Sequence, residues 1–365
     1  MRGMCPDNSR LEKPTLGHIL RLASLVCLFL LGGCDRGPTP PSGLAPTVTV
    51  AGAEAPDEPA GDLSEAERRT LSSLRLVDPY PLYTLHYVSS YEAETASAEL
   101  PTRGWSCSLF AALGDPSSRL VGRNFDWEFS PALLLFTDPP EGYASVSIVD
   151  IAYLLADPSE ADTLLERPLD GRRELLRAPH LPFDGMNEHG LVVGMAAVPA
   201  GDAPFDPSLP TVDDLELIRW ILDRARTVEE AVGVMRGANV TWGNGPPIHY
   251  LIADATGDSV LVEYVDGEIR TLPNSNAWHL ATNFFVSGSG GTPYAPAGIC
   301  PRYDRMLTTL ASKGGVLRFA EALDLLRGVS TPTTQWSAVY DISQRRVHVA
   351  MGGDFESVHT FDLRP

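Results

Sequence analysis

Lysine is nearly absent: only Lys13 and Lys313 stand among the 28 cations of this 365-residue chain. Against 47 acidic residues, that gives a formal net charge of −19. No lysine-rich arm or basic face is available to follow a phosphate backbone, so nucleic acid is excluded as a partner. Long apolar runs are also missing. The best, Leu22 to Leu31, has ten residues, about half of the ~20 that a membrane-spanning helix needs. The eight histidines show no metal spacing: His180 and His189 are nine apart and His-Glu-x-x-His does not occur, so no metal or other cofactor is expected. Cysteine is scarce, five in all, which rules out a small disulfide-stapled scaffold. What is present is 44% hydrophobic content, enough over this length to bury a sizeable core.

The first 33 residues read as a secretory signal. Arg2, Arg10, Lys13 and Arg21 precede the apolar run, which ends in Leu31-Gly32-Gly33-Cys34. That ending resembles a bacterial lipobox, so Cys34 is expected to be lipidated and to tie the exported chain to a membrane of the cell envelope without spanning it. Residues 34–62 continue as a Pro/Ala/Gly-rich tether without an aromatic residue. Loss of residues 1–33 removes four cations and two anions, leaving 24 against 45. Cys5 and Cys27 go with the signal, so Cys107 and Cys300 remain. Exported chains pair their cysteines as a rule, which makes a 107–300 disulfide one reading and a thiol kept free for chemistry the other. Cys300 has no assigned role beyond that of a small buried hydrophobe.

From residue 63 onward the spacing predicts alternating strands and helices, an α+β arrangement with no further linker. Ser64, with Glu67 three residues on, caps a helix running to Leu74. Strands are predicted over 81–91, 107–113, 119–125, 132–136, 143–151, 191–198, 249–253, 259–264, 279–285, 336–342, 346–351 and 358–363. Thr211 is read as the cap of a helix carrying Leu215, Ile218 and Leu222, and Thr227 with Glu230 as a second capping box. Two more helices are expected over 302–310 and 317–326.

One stretch carries chemistry. A strand that starts at Cys107 meets the turn Gly114-Asp115-Pro116, and Leu120-Val121-Gly122-Arg123-Asn124-Phe125-Asp126 returns toward it. An arginine beside a thiol favours the thiolate, and a carboxylate can hold a neighbouring amine. A strand end with a satisfied ion pair fits the same residues.

Here the sequence resembles the cysteine N-terminal-nucleophile (Ntn) hydrolases of the choloylglycine hydrolase type, which include bile salt hydrolases and penicillin V acylases. It is more distantly similar to acid ceramidase and to the acyltransferases of penicillin biosynthesis. The resemblance runs from residue 104 to 365. Cys107 matches the nucleophile, and Arg123 and Asp126 match a Gly-Arg-Asn-x-Asp strand 16 and 19 residues further on. Asp184-Gly185-Met186-Asn187-Glu188-His189-Gly190-Leu191 matches an Asn-Glu-x-Gly-Leu block. Ala197 falls where the family supplies an oxyanion N–H. Ala281-Thr282-Asn283 matches the block whose asparagine is the other donor, and Cys300-Pro301-Arg302-Tyr303 aligns with a Ser-Arg-Phe block whose arginine sits at the active site.

The resemblance implies a four-layer αββα sandwich over 107–365 and hydrolysis of a small-molecule N-acyl amide. It also implies autocatalytic cleavage between Ser106 and Cys107, which leaves 63–106 as a small preceding segment. Ser108 stands where many relatives have threonine. The oligomeric state is left open. Two other readings compete. A papain- or transglutaminase-like enzyme would pair Cys107 with His249, 142 residues on, but it would need Cys107 at a helix start, which Pro116 would soon break. His249 in Pro-Ile-His-Tyr-Leu-Ile instead reads as a core strand residue. A ligand-binding lipoprotein without catalysis is the other. Gly288-x-Gly290-Gly291 is followed by Pro293 and Pro296 rather than a helix, so it reads as a loop near Asn283 at the substrate mouth and not as a phosphate loop.

Overall fold

A computed structural model describes residues 62–91, 106–155, 157–243, 245–287, 298 and 300–363. The signal segment, Cys34, the tether to residue 61 and the Gly288-x-Gly290-Gly291 loop lie outside these residues. Ser64 caps α1 (Glu65–Ser72) with the reciprocal Ser64–Glu67 box read from the sequence. The chain then forms β1 (Arg75–Asp78) and β2 (Leu82–Tyr87), which is shorter than the predicted 81–91 strand because Val88 N–H turns to the Thr70 hydroxyl. The predicted hairpin at the cysteine is present as β3 (Ser106–Ala112) and β4 (Leu120–Asp126), paired antiparallel. β5 (Ala132–Thr137) and β6 (Ser145–Asp150) follow. Three 3₁₀ stretches, Ile151–Tyr153, Pro158–Glu166 and Asp170–His180, come next among the described residues.

β7 (Pro182–Asn187), absent from the sequence reading, pairs with β8 (Val192–Ala197). Next come β9 (Thr211–Asp213), α2 (Asp214–Arg224), α3 (Val228–Arg236) and β10 (Asn239–Thr241). Thr211 is not the α2 cap. It belongs to β9, paired in parallel with β10, and Asp213 caps the helix through Leu215 N–H. Thr227 does cap α3, but Glu230 reaches back to Arg226 N–H instead of closing the box on Thr227. The rest is β11 (Ile248–Ala253), β12 (Ser259–Val265), β13 (Glu268–Pro273), β14 (Trp278–Ala281), α4 (Pro301–Ser312), α5 (Phe319–Val329), β15 (Thr334–Asp341), β16 (Arg346–Met351) and β17 (Val358–Asp362).

These strands form a nine-stranded sheet, ordered β1-β2-β5-β6-β7-β8-β11-β12-β13, and a six-stranded sheet, β14-β3-β4-β15-β16-β17. The two sheets face each other. At Gly194 of β8 an added Cβ would sit 2.6 Å from the Leu109 side chain of β3, so the sheets meet there only because glycine has none. Cys107, Leu109 and Ala111 point into the core between the sheets, while Phe110 and Ala112 pack with Tyr303, Met306, Leu310, Leu325 and Leu326 of α4 and α5. On the far side, α2 lies on the larger sheet. Asn187 donates to the Leu222 and Ala225 carbonyls, and the Tyr250 hydroxyl donates to Asp214 O. The layers are therefore αββα, as the resemblance implied.

The segment ahead of the cysteine is part of this body. β2 lies parallel to β5 over six register pairs, Leu82 to Tyr87 against Ala132 to Thr137. Leu82 and Leu85 are fully buried, and the Tyr83 and Tyr87 hydroxyls donate to Ala161 O and Leu176 O at 2.7 and 3.0 Å.

Candidate active site

All six residues singled out from the sequence converge at one end of the facing sheets. Cys107 is the second residue of β3 and is fully buried. Its thiol is free, so the 107–300 disulfide is not formed, and Cys300 is buried. The Cys107 backbone nitrogen donates to Asn283 Oδ1 at 2.8 Å. Arg123 Nη2 reaches Cys107 Sγ at 3.8 Å. Arg302 Nη1 donates to the Cys107 carbonyl at 2.5 Å and to Ser108 Oγ at 2.8 Å, and its Nη2 donates to Asn283 Oδ1 at 3.0 Å. Burial pushes the Cys107 thiol up, and Arg123 opposes that most strongly.

Asn283 is oriented without ambiguity. Its Oδ1 accepts from two donors, and its Nδ2 donates to Ala197 O at 2.9 Å. One Nδ2 hydrogen is left over. Ala197 supplies the complementary group. Hydrogen bonding alternates along an antiparallel ladder, and Val198 N–H already bonds Pro247 O. The Ala197 N–H, opposite Ile248 in the register, therefore turns away from β11. An Nδ2 hydrogen and a backbone N–H thus belong to neighbouring groups, joined to each other through Ala197 O and to the Cys107 nitrogen through Asn283 Oδ1, an arrangement suited to a developing oxyanion.

Asp126 ends β4 opposite Ser106. Its Oδ1 accepts from the Thr334 hydroxyl at 2.5 Å; its Oδ2 lies 3.5 Å from Arg302 Nη1 and takes no hydrogen bond. Burial pushes this carboxyl up to about 6, against the opposing pull of Arg302 and the Thr334 hydroxyl. A buried carboxylate with a vacant oxygen is suited to accept a proton or hold an ammonium.

Three supporting residues were not read from the sequence. Asp184 of β7 forms a buried ion pair with Arg123 and also accepts from the Tyr340 hydroxyl of β15. Burial works against the Arg123 charge, and Asp184 more than offsets it together with the Cys107 thiol. Phe125 lies under the same guanidinium, 4.8 Å from ring centre to Arg123 Cζ. Thr334 completes the set. A buried arginine in a strand was the available signal, since such a charge needs a partner. Asn187, by contrast, is structural: it ties the end of α2 and, through Oδ1, the 187–191 turn.

His249 does not face Cys107. Its Nε2 lies 2.8 Å from Thr282 O and its Nδ1 3.4 Å from Glu263 Oε1, so both ring nitrogens are engaged. Cys107 also sits in a strand and not at a helix start. The Cys-His alternative fails on both counts. Among the described residues, no His/Cys/Asp/Glu cluster could hold a metal ion, and no helix is long and apolar enough to cross a membrane.

Residues 107–280 match the family described as linear amide C-N hydrolases, choloylglycine hydrolase family, the family whose likeness was read from the sequence. A penicillin V acylase of Pectobacterium atrosepticum is 24% identical over 191 residues, covering 49% of this chain and 49% of that protein. An uncharacterized protein of Paramecium bursaria Chlorella virus 1 is 28% identical over 102 residues, covering 25% of this chain and 36% of its own length. The chain thus spans half or less of the length of the curated relatives it matches. Among solved structures, a mutant of a conjugated bile acid hydrolase from Clostridium perfringens covers 70% of this chain and 92% of its own at 16% identity, with a TM-score of 0.50. A penicillin V acylase from Agrobacterium tumefaciens covers 70% and 91% at 19% identity, with a TM-score of 0.44. The Clostridium likeness carries the fold, that of the Ntn hydrolases.

Proposed function

We propose that this chain hydrolyses linear, non-peptide amide bonds of small N-acyl compounds, using Cys107 as an N-terminal nucleophile released by cleavage of the Ser106–Cys107 bond. The observation that carries this reading is the Cys107 nitrogen. It is held by Asn283 at 2.8 Å, in a site that also brings an arginine to the thiol and holds two unspent N–H donors. A strand cysteine of purely structural use needs none of these.

In the uncut chain the vacant Asp126 oxygen takes the thiol proton. Sγ adds to the Ser106 carbonyl carbon, the C–N bond breaks as the nitrogen takes a proton, and water releases Ser106 from the thioester. The new α-amine, with a pKa of about 7.7–8.0, is then the base for substrate. It takes the thiol proton, Sγ attacks the amide carbonyl, and the amine product leaves with a proton. Water frees the acid. Asn283 Nδ2 and Ala197 N–H bind the oxyanion, each worth about 3–4 kcal/mol. Asp126 holds the amine, while Arg123 and Arg302 support negative charge on sulfur and fix the neighbouring carbonyl. The lipid on Cys34 belongs to the same proposal and places the shorter chain at a bacterial envelope membrane.

Mass and N-terminal sequence of the purified protein test this. Two chains are expected to co-elute natively, because β2 stays in the sheet, and to separate in denaturant. The larger begins Cys107-Ser108-Leu109 and the smaller at an acylated Cys34. Assays on penicillin V, a glycine-conjugated bile acid and N-acyl homoserine lactones then identify the acyl group. An uncut chain with full amidase activity overturns the mechanism, and an unacylated Cys34 overturns the anchor.

Asp126 gives a pH signature. Its carboxyl is raised from about 3.9 when unfolded to about 6, so folding takes up its proton. The stability this contributes is present below about pH 4 and is lost as pH rises through 6, leaving an ionised group that costs about 3 kcal/mol at neutral pH. Asp126→Asn is therefore expected to lose chain cleavage and, compared within the uncut Cys107→Ala background, to melt higher than its Asp126 counterpart at pH 7–8, with the difference gone below pH 4. Equal melting temperatures at pH 8 would count against the vacant-carboxylate assignment.

A further inference from the structure

The pair His249–Glu263 lies behind the site and has no part in the chemistry above. Both side chains are fully buried, His249 in β11 and Glu263 in β12. Both converge on the backbone that carries Asn283. His249 Nε2 meets Thr282 O at 2.8 Å, one residue before Asn283. Glu263 Oε1 accepts from Val286 N–H at 2.7 Å and Oε2 from Ser287 N–H at 3.0 Å. A carbonyl only accepts, so Nε2 carries a hydrogen. The carboxylate accepts two backbone donors, and its Oε1 lies 3.4 Å from Nδ1.

Packing alone does not account for this. A histidine that merely fills a core leaves a backbone carbonyl to its own ladder, and a buried glutamate is costly unless its oxygens are used. Here three of the contacts end on residues 282–287. The neighbouring His279 of β14 adds no competing charge: burial, aided by the His249 charge, pushes it down to about 4, and its Nδ1 rests 3.2 Å from Ser259 Oγ. β11 also lies beside β8, whose Ala197 carbonyl holds the Asn283 amide. Asn283 is thus fixed at its backbone from one side of β11 and at its side chain from the other.

We propose that His249 and Glu263 are positioning residues that pin segment 282–287, so that Asn283 keeps its free Nδ2 hydrogen aimed at the oxyanion. The inference rests on the Asn283 role assigned above. Its consequence falls on transition-state binding, not on substrate affinity.

The test compares His249→Leu, which removes the donor, with His249→Gln, whose amide nitrogen takes the place of Nε2. In His249→Leu, kcat is expected to fall about 10–100-fold with KM within about threefold of the parent, and amide exchange over 282–287 to quicken. His249→Gln is expected to recover most of both. A His249→Leu enzyme with kcat within about threefold of the parent overturns the proposal, as does equal loss in both variants with unchanged exchange over 282–287. Should His249→Leu fail to fold, Glu263→Gln, which keeps shape and removes charge, carries the same expectations and the same refutation. Amide hydrolysis that survives Cys107→Ala sinks the nucleophile reading instead, and the exchange measurement still decides the pin.

Discussion

Cys107→Ala is expected to give a single uncut chain and to lower amide hydrolysis by at least about 10⁴-fold. The nucleophile is lost outright, and the α-amine that would serve as its base is never formed. The fold is expected to be nearly untouched. Cys107 is fully buried in β3, alanine fits a strand position, and deletion of one sulfur costs about 1 kcal/mol. Mass spectrometry, calorimetry and the hydrolysis assay on one preparation check all three. Hydrolysis persisting near the parent rate would remove Cys107 from the mechanism. A chain cut in the absence of the thiol would show that another agent makes the break.

Asp184→Asn is the largest expected loss of stability. Arg123 and Asp184 are each 1% exposed, so the substitution keeps the shape and the Tyr340 bond but leaves a guanidinium buried without its counter-charge. Breaking such a pair from one side costs about 3–5 kcal/mol, a fall in melting temperature on the order of 10 °C for a body of this size. The double variant Arg123→Met/Asp184→Leu removes both charges and is expected to regain most of that loss, while staying inactive because no cation reaches Sγ. If the single variant melts with the parent, Asp184 is not what holds Arg123.

How far the sequence reached depends on where each residue finds its partners. The hairpin from Cys107 to Asp126 was legible, since alternation and a Gly-Asp-Pro turn are local signals. The six convergent residues were legible only through the spacing of blocks. β7 was missed because Pro182, Asp184 and Gly185 look like strand breakers. Gly185 is tolerated there because a side chain would meet Val146 O at 2.7 Å and Leu222 at 2.8 Å, a crowding set by β6 and α2. Thr211 and Asp213 are equally good caps in isolation, and only the distant β10 decides between them. Asp184 stands 61 residues from Arg123 and His249 stands 33 from Thr282, so the partners appear only when the sheets stack.

Under the proposed cleavage, the parallel pairing of β2 with β5 changes meaning. In the uncut chain β2 returns to the sheet as a tethered strand, at an effective concentration fixed by the loop between them. With the Ser106–Cys107 bond cut as proposed, the same six pairs would hold two molecules together, and native stability would acquire a dependence on protein concentration. An unfolded precursor finds its fold by a first-order process; the cut enzyme, once unfolded and diluted, must do so by a second-order one. The proposed cleavage would thus make the enzyme competent and, in the same step, make its folding a one-way event at low concentration, so that its working lifetime would be set by how slowly it unfolds.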